Sequence, residues 1–281
     1  MSNQKSMFTR EDSTYYYSDE LLANILQDEA SPLNRVLNEV PDNSKILDVG
    51  AGSGLLGKLF KFANRNVIID GIEPSLYASK LISDEYRNFY NGFLQDFQSE
   101  IIMENYDYII FADVIEHINN PVEVFKDFFK QLPSKTKIII STPNIAFASI
   151  RLSLLYGKFN YVDSGILEKT HVRFYTETTL KNLIEILDLN ISKFYYLERN
   201  INLTEIDLHT LHCNPLMVSY SCRDKLSHVY QFFCVLVKNE IKYEEKTYGQ
   251  KARFPMLEYI FKPLVLNNVF LKHMVKKFYK L

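Results

Sequence analysis

Tryptophan is absent, cysteine occurs three times, and glycine and proline nine times each in 281 residues. The cysteines, Cys213, Cys222 and Cys234, show no CxxC spacing. They read as free thiols suited to a reducing compartment, which argues against a disulfide framework. Charge of one sign is also lacking: the net charge is −2 and the pI near 6.3. That balance argues against a nucleic-acid-binding surface spread over the whole protein. No stretch approaches the roughly 20 unbroken apolar residues of a membrane-spanning helix. The first residues, MSNQKSMFTREDS, are polar and lack the apolar core of a signal peptide, so a cytoplasmic location is expected. What is abundant is apolar side chain, 47% of residues, enough to bury the core of one elaborated α/β domain or of a domain with an added cap.

Four of the nine glycines fall at Gly50, Gly52, Gly54 and Gly57, in KILDVGAGSGLLG. Ile46, Leu47 and Val49 before them suit a buried parallel strand, and Leu55, Leu56 and Leu59 begin a helix directly after. From there strands and helices alternate, the pattern of a parallel sheet. Strands are expected at 45–49, 67–72, near 89–94, 106–112 and 137–141, with 191–197 and 229–237 as a closing pair. Helices are expected from Leu55 and Ser75, over 121–132, and from Thr176 to about 189. Upstream, Ser18 and the Ser31-Pro32 pair each open a helix, giving an N-terminal helical lid over 1–40 that carries the cluster Tyr15, Tyr16 and Tyr17.

Two long segments, 145–175 and 200–228, stand outside the alternation. Loops of that length in a compact domain are usually functional. The first follows the carboxyl end of a strand, where open α/β sheets bind ligands, and is the expected acceptor-side cap. From 241 onward nine Lys and Arg face three Glu, a net +6, interleaved with Phe254, Leu257, Tyr259, Ile260 and Phe261. This reads as a basic amphipathic helical tail, a packed or dimer-forming element or a contact for an anionic membrane face.

The glycine turn satisfies GxGxxG, which alone permits a dinucleotide. Asp48 argues otherwise, because a carboxylate at the mouth of the turn repels pyrophosphate and attracts a cation. S-adenosylmethionine has no phosphate and carries an ammonium and a sulfonium. Glu73, 19 positions beyond Gly54 at the end of the second strand, is placed to accept hydrogen bonds from ribose hydroxyls.

Taken in order, DVGAGSG, GIEPS, FLQDF and YDYIIFADVIEHINNP resemble the class I S-adenosylmethionine-dependent methyltransferases, in particular the Methyltransferase-23 group, over about residues 15–198. The resemblance implies a Rossmann-like, seven-stranded, mostly parallel sheet, here a domain over 41–240 with the two inserts. It implies that Asp48, Gly50, Ala51, Gly52 and Gly54 line the methionine moiety and that Glu73, beside Pro74, holds the ribose. Asp96 would meet the adenine amino group beside Phe97, and Asp113 and Val114 would face the sulfonium side. Tyr17 would close over the cofactor, whose spent form is S-adenosylhomocysteine.

A hydroxyl acceptor needs a base, and histidine is the natural one near neutral pH. His117 lies just past the fourth strand, and His171 lies in EKTHVRFYT. That string is similar to an HxRFYT signature of methyltransferases from sugar and surface-polysaccharide gene clusters, and also of methionine-biosynthesis relatives. The resemblance implies His171 as general base, with Arg173 binding the substrate or bracing the loop, and a sugar acceptor that is free or nucleotide-linked. Another small hydroxylated metabolite, such as a quinone precursor, is the alternative acceptor. A non-catalytic binding scaffold is the alternative from outside enzymology.

Asp113, Glu116 and His117 stand at i, i+3 and i+4, one face if the segment is helical. With His171 they form a set that could hold a hard divalent ion. The pattern also occurs in members that bind none, so a metal stays an alternative. His209, His212 and Cys213 in HTLHC suggest zinc but lack a fourth ligand at recognised spacing.

Overall fold

A computed structural model of the chain describes residues 17–81, 84–201, 204–206, 214–239, 241 and 243–249. These fall into two compact units. The first holds the described residues up to Pro143, then Val172–Leu197 and Gln231–Gly249; the second holds Asn144–His171 and Glu198–Tyr230. The second unit therefore corresponds closely to the two stretches that interrupt the strand–helix alternation in the sequence.

Helix α1 (Asp19–Gln27) starts where Ser18 Oγ accepts the Leu21 N–H, and α2 (Pro32–Glu39) where Ser31 Oγ accepts that of Asn34. The nucleotide-type core then runs β1 (Lys45–Val49), α3 (Leu55–Phe62), β2 (Ile68–Ile72), α4 (Leu76–Ser79), β3 (Asn88–Tyr90), α5 (Gln98–Met103), β4 (Tyr108–Ala112), α6 (Pro121–Gln131) and β5 (Lys137–Pro143). The second unit's α7 (Ala148–Leu155) comes next, then α8 (Glu177–Ile186) and β6 (Asn190–Glu198). The second unit's α9 (Pro215–Ser221) precedes β7 (Val229–Val237) and β8 (Glu244–Gly249). Both long inserts thus contain a helix that their sequences did not announce.

All eight strands form one sheet in the order β3-β2-β1-β4-β5-β7-β6-β8. The pairings β3–β2, β2–β1, β1–β4 and β4–β5 are parallel, and β7 runs antiparallel to β5. The chain leaves β1 toward β2 on one side, while β4 lies on the other. This is the reversal of strand order at which open α/β sheets bind ligands. The central strands are buried along nearly their whole length, as sheets covered on both faces require. On one face Phe111 packs against Phe125 and Phe129, with ring centroids 4.9 and 5.8 Å away. Truncating either α6 ring to alanine would cost about 3–5 kcal/mol.

The eighth strand corrects the expectation of seven, and of a helical tail beginning at 241. Its sequence, EEKTYG, is charged and poor in β-formers, so the strand is specified by what it packs on. Tyr248 meets Tyr195 of β6 edge to face at 5.1 Å, and the Arg35 guanidinium lies 4.1 Å over the Tyr248 ring. Charge on such a strand also discourages pairing with another chain's edge. The rest of the basic tail, 250–281, lies outside the described residues. So do residues 1–16 of the lid, with Tyr15 and Tyr16, and His209, His212 and Cys213. Among the described residues no helix is long and apolar enough to cross a membrane.

Candidate active site

The first unit gathers most of the expected cofactor residues at the carboxyl ends of β1, β2 and β4. Gly50, Gly52 and Gly54 have φ of +75°, +54° and +83°, a left-handed region that side chains other than glycine's enter at a cost. The Gly50 and Ala51 N–H groups both donate to the Ile72 carbonyl at 2.9 and 3.0 Å, tying the turn to the end of β2. A Cβ on Gly50 would lie 2.7 Å from Val114 Cγ2, so the glycine is what allows the segment after β4 to seat against the turn. A Cβ on Gly52 would meet no atom within 4 Å, leaving backbone open to a ligand.

Glu73 closes the turn from the β2 side. Its Oε2 accepts the Gly52 N–H and its Oε1 the Ser75 N–H, each at 2.9 Å. An ionised carboxylate offers about four acceptor sites. One on each oxygen thus remains for a vicinal diol such as a ribose. Pro74 follows on the exposed side. Beyond β3, Asp96 Oδ2 accepts the Phe93 N–H at 2.8 Å, and Phe97 packs tilted against Tyr90 at 5.1 Å. The Tyr17 hydroxyl hydrogen-bonds Ser53 Oγ inside the glycine turn, and the Lys58 ammonium lies 5.0 Å over the Tyr17 ring.

Asp48 is placed differently from the sequence expectation. It shares a strand face with Ile46 and is only 4% exposed, so it does not offer its charge at the mouth of the turn. Its Oδ2 accepts the Tyr86 hydroxyl at 2.7 Å, and that hydroxyl accepts the Gly57 N–H at 3.3 Å. Burial pushes the Asp48 carboxyl up to about 7, against the lowering effect of the Tyr86 hydrogen bond and with a further rise from Glu73. The carboxylate presented at the turn is Glu73. An acidic residue at this place is shared with dinucleotide-binding folds, so Glu73 does not by itself exclude pyrophosphate.

After β4 the backbone turns sharply. Asp113 has φ +56°, uncommon for a non-glycine and most tolerable for Asp or Asn. It is held there by the neighbouring strand. Its N–H donates to Ser141 Oγ at 3.1 Å, and Ser141 Oγ donates to its Oδ1 at 2.9 Å. Gln231 Nε2 of β7 donates to the same Oδ1. Ile115–His117 is a single 3₁₀ turn. A left-handed Asp113 followed by 3₁₀ backbone is not an α-helix, so Asp113 leaves the expected face, while Glu116 and His117 still bring one potential ligand atom each within 4.8 Å of the other. Glu116 is buried with Oε2 accepting the Thr142 hydroxyl at 3.1 Å, while His117 is exposed. Arg173 Nε donates to the Asn119 carbonyl at 2.6 Å, and the Val172 and Arg173 N–H groups donate to the Glu116 carbonyl.

His171 belongs to the second unit. It is 7% exposed, and its Nδ1 stands 3.0 Å from the Ile166 carbonyl oxygen. A carbonyl can only accept, so the neutral ring carries its proton on Nδ1 and its acceptor lone pair on Nε2.

Ser141, Gln231 and Tyr86 were missed by sequence reasoning. Gln231 had a signal: it is a polar residue inside the apolar run VYQFFCVLV. Ser141 had none, since only the register of β4 on β5 sets it opposite Ala112, the residue before Asp113. Tyr86 had none, since its partner lies 38 positions away.

The sheet order, the glycine turn at its reversal point and the acidic residue ending β2 define a class I S-adenosylmethionine-dependent methyltransferase. The chain belongs to the methyltransferase domain family, whose profile matches residues 20–193. It is similar to the ubiquinone biosynthesis O-methyltransferase of Rickettsia bellii, with 24% identity over 170 residues, 58% of this chain and 68% of that protein. The corresponding protein of Rickettsia akari is 23% identical over 175 residues, 60% of this chain and 66% of its own. Among solved structures, an S-adenosylmethionine-dependent methyltransferase from Archaeoglobus fulgidus superposes with a TM-score of 0.52 at 17% identity. That match covers 79% of this chain and 95% of the other, and it is a likeness of fold. The residues around the turn fit the cofactor. Open backbone at Gly52 admits it, Glu73 can take a ribose diol, and no cationic side chain awaits a phosphate in the turn itself.

Proposed function

We propose that this chain methylates a hydroxyl of a small acceptor, with His171 as the general base. When bound, the cofactor supplies a methyl group on a sulfonium, already an excellent leaving group. The chain's own residues then have two tasks, alignment and removal of the acceptor's proton. Asp48, Gly50, Ala51, Gly52 and Gly54 form and support the methionine side of the site, Glu73 with Pro74 binds the ribose, and Asp96 with Phe97 takes the adenine. Tyr17 covers the turn through Ser53, and Asp113 and Val114 bound the sulfonium side. Arg173 braces the loop after β4 through the Asn119 carbonyl. The observation that carries the reading is the His171 Nδ1–Ile166 carbonyl contact, which leaves Nε2 as the nitrogen able to accept a proton.

The acceptor we favour is a sugar, free or nucleotide-linked, of the kind built into surface polysaccharides. Supporting it, the second unit exposes Tyr156, Asn160, Tyr161, Asp163 and Ser164 in one run of chain, the stacking and hydrogen-bonding groups that suit a carbohydrate. A phenolic hydroxyl of a quinone precursor is the second reading, favoured by the likeness to the ubiquinone biosynthesis O-methyltransferases. Incubation with methyl-labelled S-adenosylmethionine and parallel panels of nucleotide sugars and of catechol-type phenols separates them. Label in the sugar panel supports the first reading, label only in phenols the second. Label in neither, with S-adenosylhomocysteine tightly bound, favours a binding scaffold.

A further inference from the structure

We propose that Glu205 is a positioning residue for His171, fixing the loop that selects the imidazole tautomer; this rests on the role just given to His171. Both lie in the second unit. The His171 ring is oriented by the Ile166 carbonyl, so its tautomer is only as well defined as the peptide plane at Ile166. The preceding peptide, Gly165–Ile166, is held in turn, and it sets the backbone of Ile166 from the other side of its Cα. The Ile166 N–H donates to Glu205 Oε1 at 2.7 Å, and Glu205 Oε2 accepts the Tyr230 hydroxyl at 3.0 Å. Tyr230 is itself held edge to face against the buried Phe147 at 5.3 Å, and the Arg199 guanidinium lies 6.0 Å over its ring.

The approach is close enough to dictate sequence. Gly165 has φ +100°, and a Cβ on it would lie 2.4 Å from Glu205 Cδ. A glycine is thus required where the loop passes the carboxylate. Ile166 is 1% exposed, so without Glu205 its N–H would be left buried and unmet, a cost the loop would relieve by reorienting. Reorienting the Gly165–Ile166 peptide shifts the backbone at Ile166 and with it the carbonyl that faces Nδ1. The chain of contacts therefore runs Phe147–Tyr230–Glu205–Ile166–His171, ending on the nitrogen whose protonation decides whether Nε2 can act as a base.

The test is nitrogen-15 NMR of the histidine rings in the full chain, the His171 signals being assigned by their loss in H171A. Wild type is expected to show His171 as a single Nδ1–H form, with separate pyrrole-type and pyridine-type nitrogens. E205A is expected to merge them toward averaged values while S-adenosylhomocysteine affinity stays within about twofold. E205Q keeps an oxygen for Ile166 and a polar partner for Tyr230, and is expected to restore the wild-type spectrum. An unchanged spectrum in E205A, or no rescue by E205Q, overturns the proposal. Should E205A not fold, G165A and Y230F decide. Loss of the single tautomer in G165A and partial loss in Y230F support the proposal, and an unaltered ring in both overturns it. Full methyl transfer by H171A would remove the general-base role yet leave the tautomer result standing, so the two failures are distinguishable.

Discussion

The Tyr86 hydroxyl donates to Asp48 Oδ2 at 2.7 Å while accepting the Gly57 N–H at 3.3 Å. A side chain from beyond β2 thus joins the end of β1 to the first turn of α3, directly beneath the glycine turn. A Cβ on Gly57 would lie 2.6 Å from the Tyr86 ring, so the glycine admits the tyrosine. Y86F leaves Asp48 buried without its donor and the Gly57 N–H without its acceptor. The expected loss is about 1–3 kcal/mol in urea unfolding at pH 8. It should shrink at pH 5, where Asp48 is protonated; equal losses at both values would contradict the assignment.

Asp48 also sets a pH dependence of stability. Its carboxyl stands near 7 in the folded chain because of burial, against about 4 when unfolded. Between those values the folded state keeps a proton that the unfolded chain releases. Folding is therefore progressively disfavoured as pH rises from about 4 to about 7, by up to about 1.4 kcal/mol per unit, and no further above. D48N removes this slope. Its Tm should exceed that of wild type at pH 8 and approach it toward pH 5, and parallel profiles would show that Asp48 does not titrate in this window.

The glycines of the turn should separate by function. G50A adds a clash with Val114 to the left-handed strain of about 1–2 kcal/mol, and V114A in the same chain should recover the clash but not the strain. G52A has room for its methyl group in the folded chain. Its stability loss should be confined to the left-handed strain, with cofactor affinity falling more than in V114A alone. Calorimetric titration with S-adenosylhomocysteine measures this, and undiminished binding in G52A would remove Gly52 from the site.

Glu73 is expected to be the strongest single determinant of cofactor affinity. Loss of hydrogen bonds from a ribose diol to a carboxylate, about 1.5–3 kcal/mol, corresponds to a 10- to 100-fold rise in the dissociation constant of S-adenosylhomocysteine in E73A. A change below threefold would place the ribose elsewhere.

Most of the first unit was legible in the sequence because its signals are local. The run Ile46, Leu47, Val49 and the alternate glycines specify strand and turn within a dozen residues, and Ser18, Ser31 and Thr176 each cap the helix their position announces. What escaped is held by partners distant in the chain. The strand 244–249 takes its place from Tyr195 and Arg35, and Asp48 is covered by Tyr86. Asp113 adopts its left-handed backbone against Ser141 and Gln231. The motif therefore located the donor end of the site, while its electrostatics depended on burial that one strand's sequence does not encode.

The general-base role of His171 is read out by single-turnover transfer of a labelled methyl group with wild type and H171A, using whichever acceptor panel takes label. The expected result is a 10²- to 10⁴-fold fall in rate with S-adenosylhomocysteine affinity unchanged. A rate within threefold of wild type in H171A would contradict the assignment of His171 as the base.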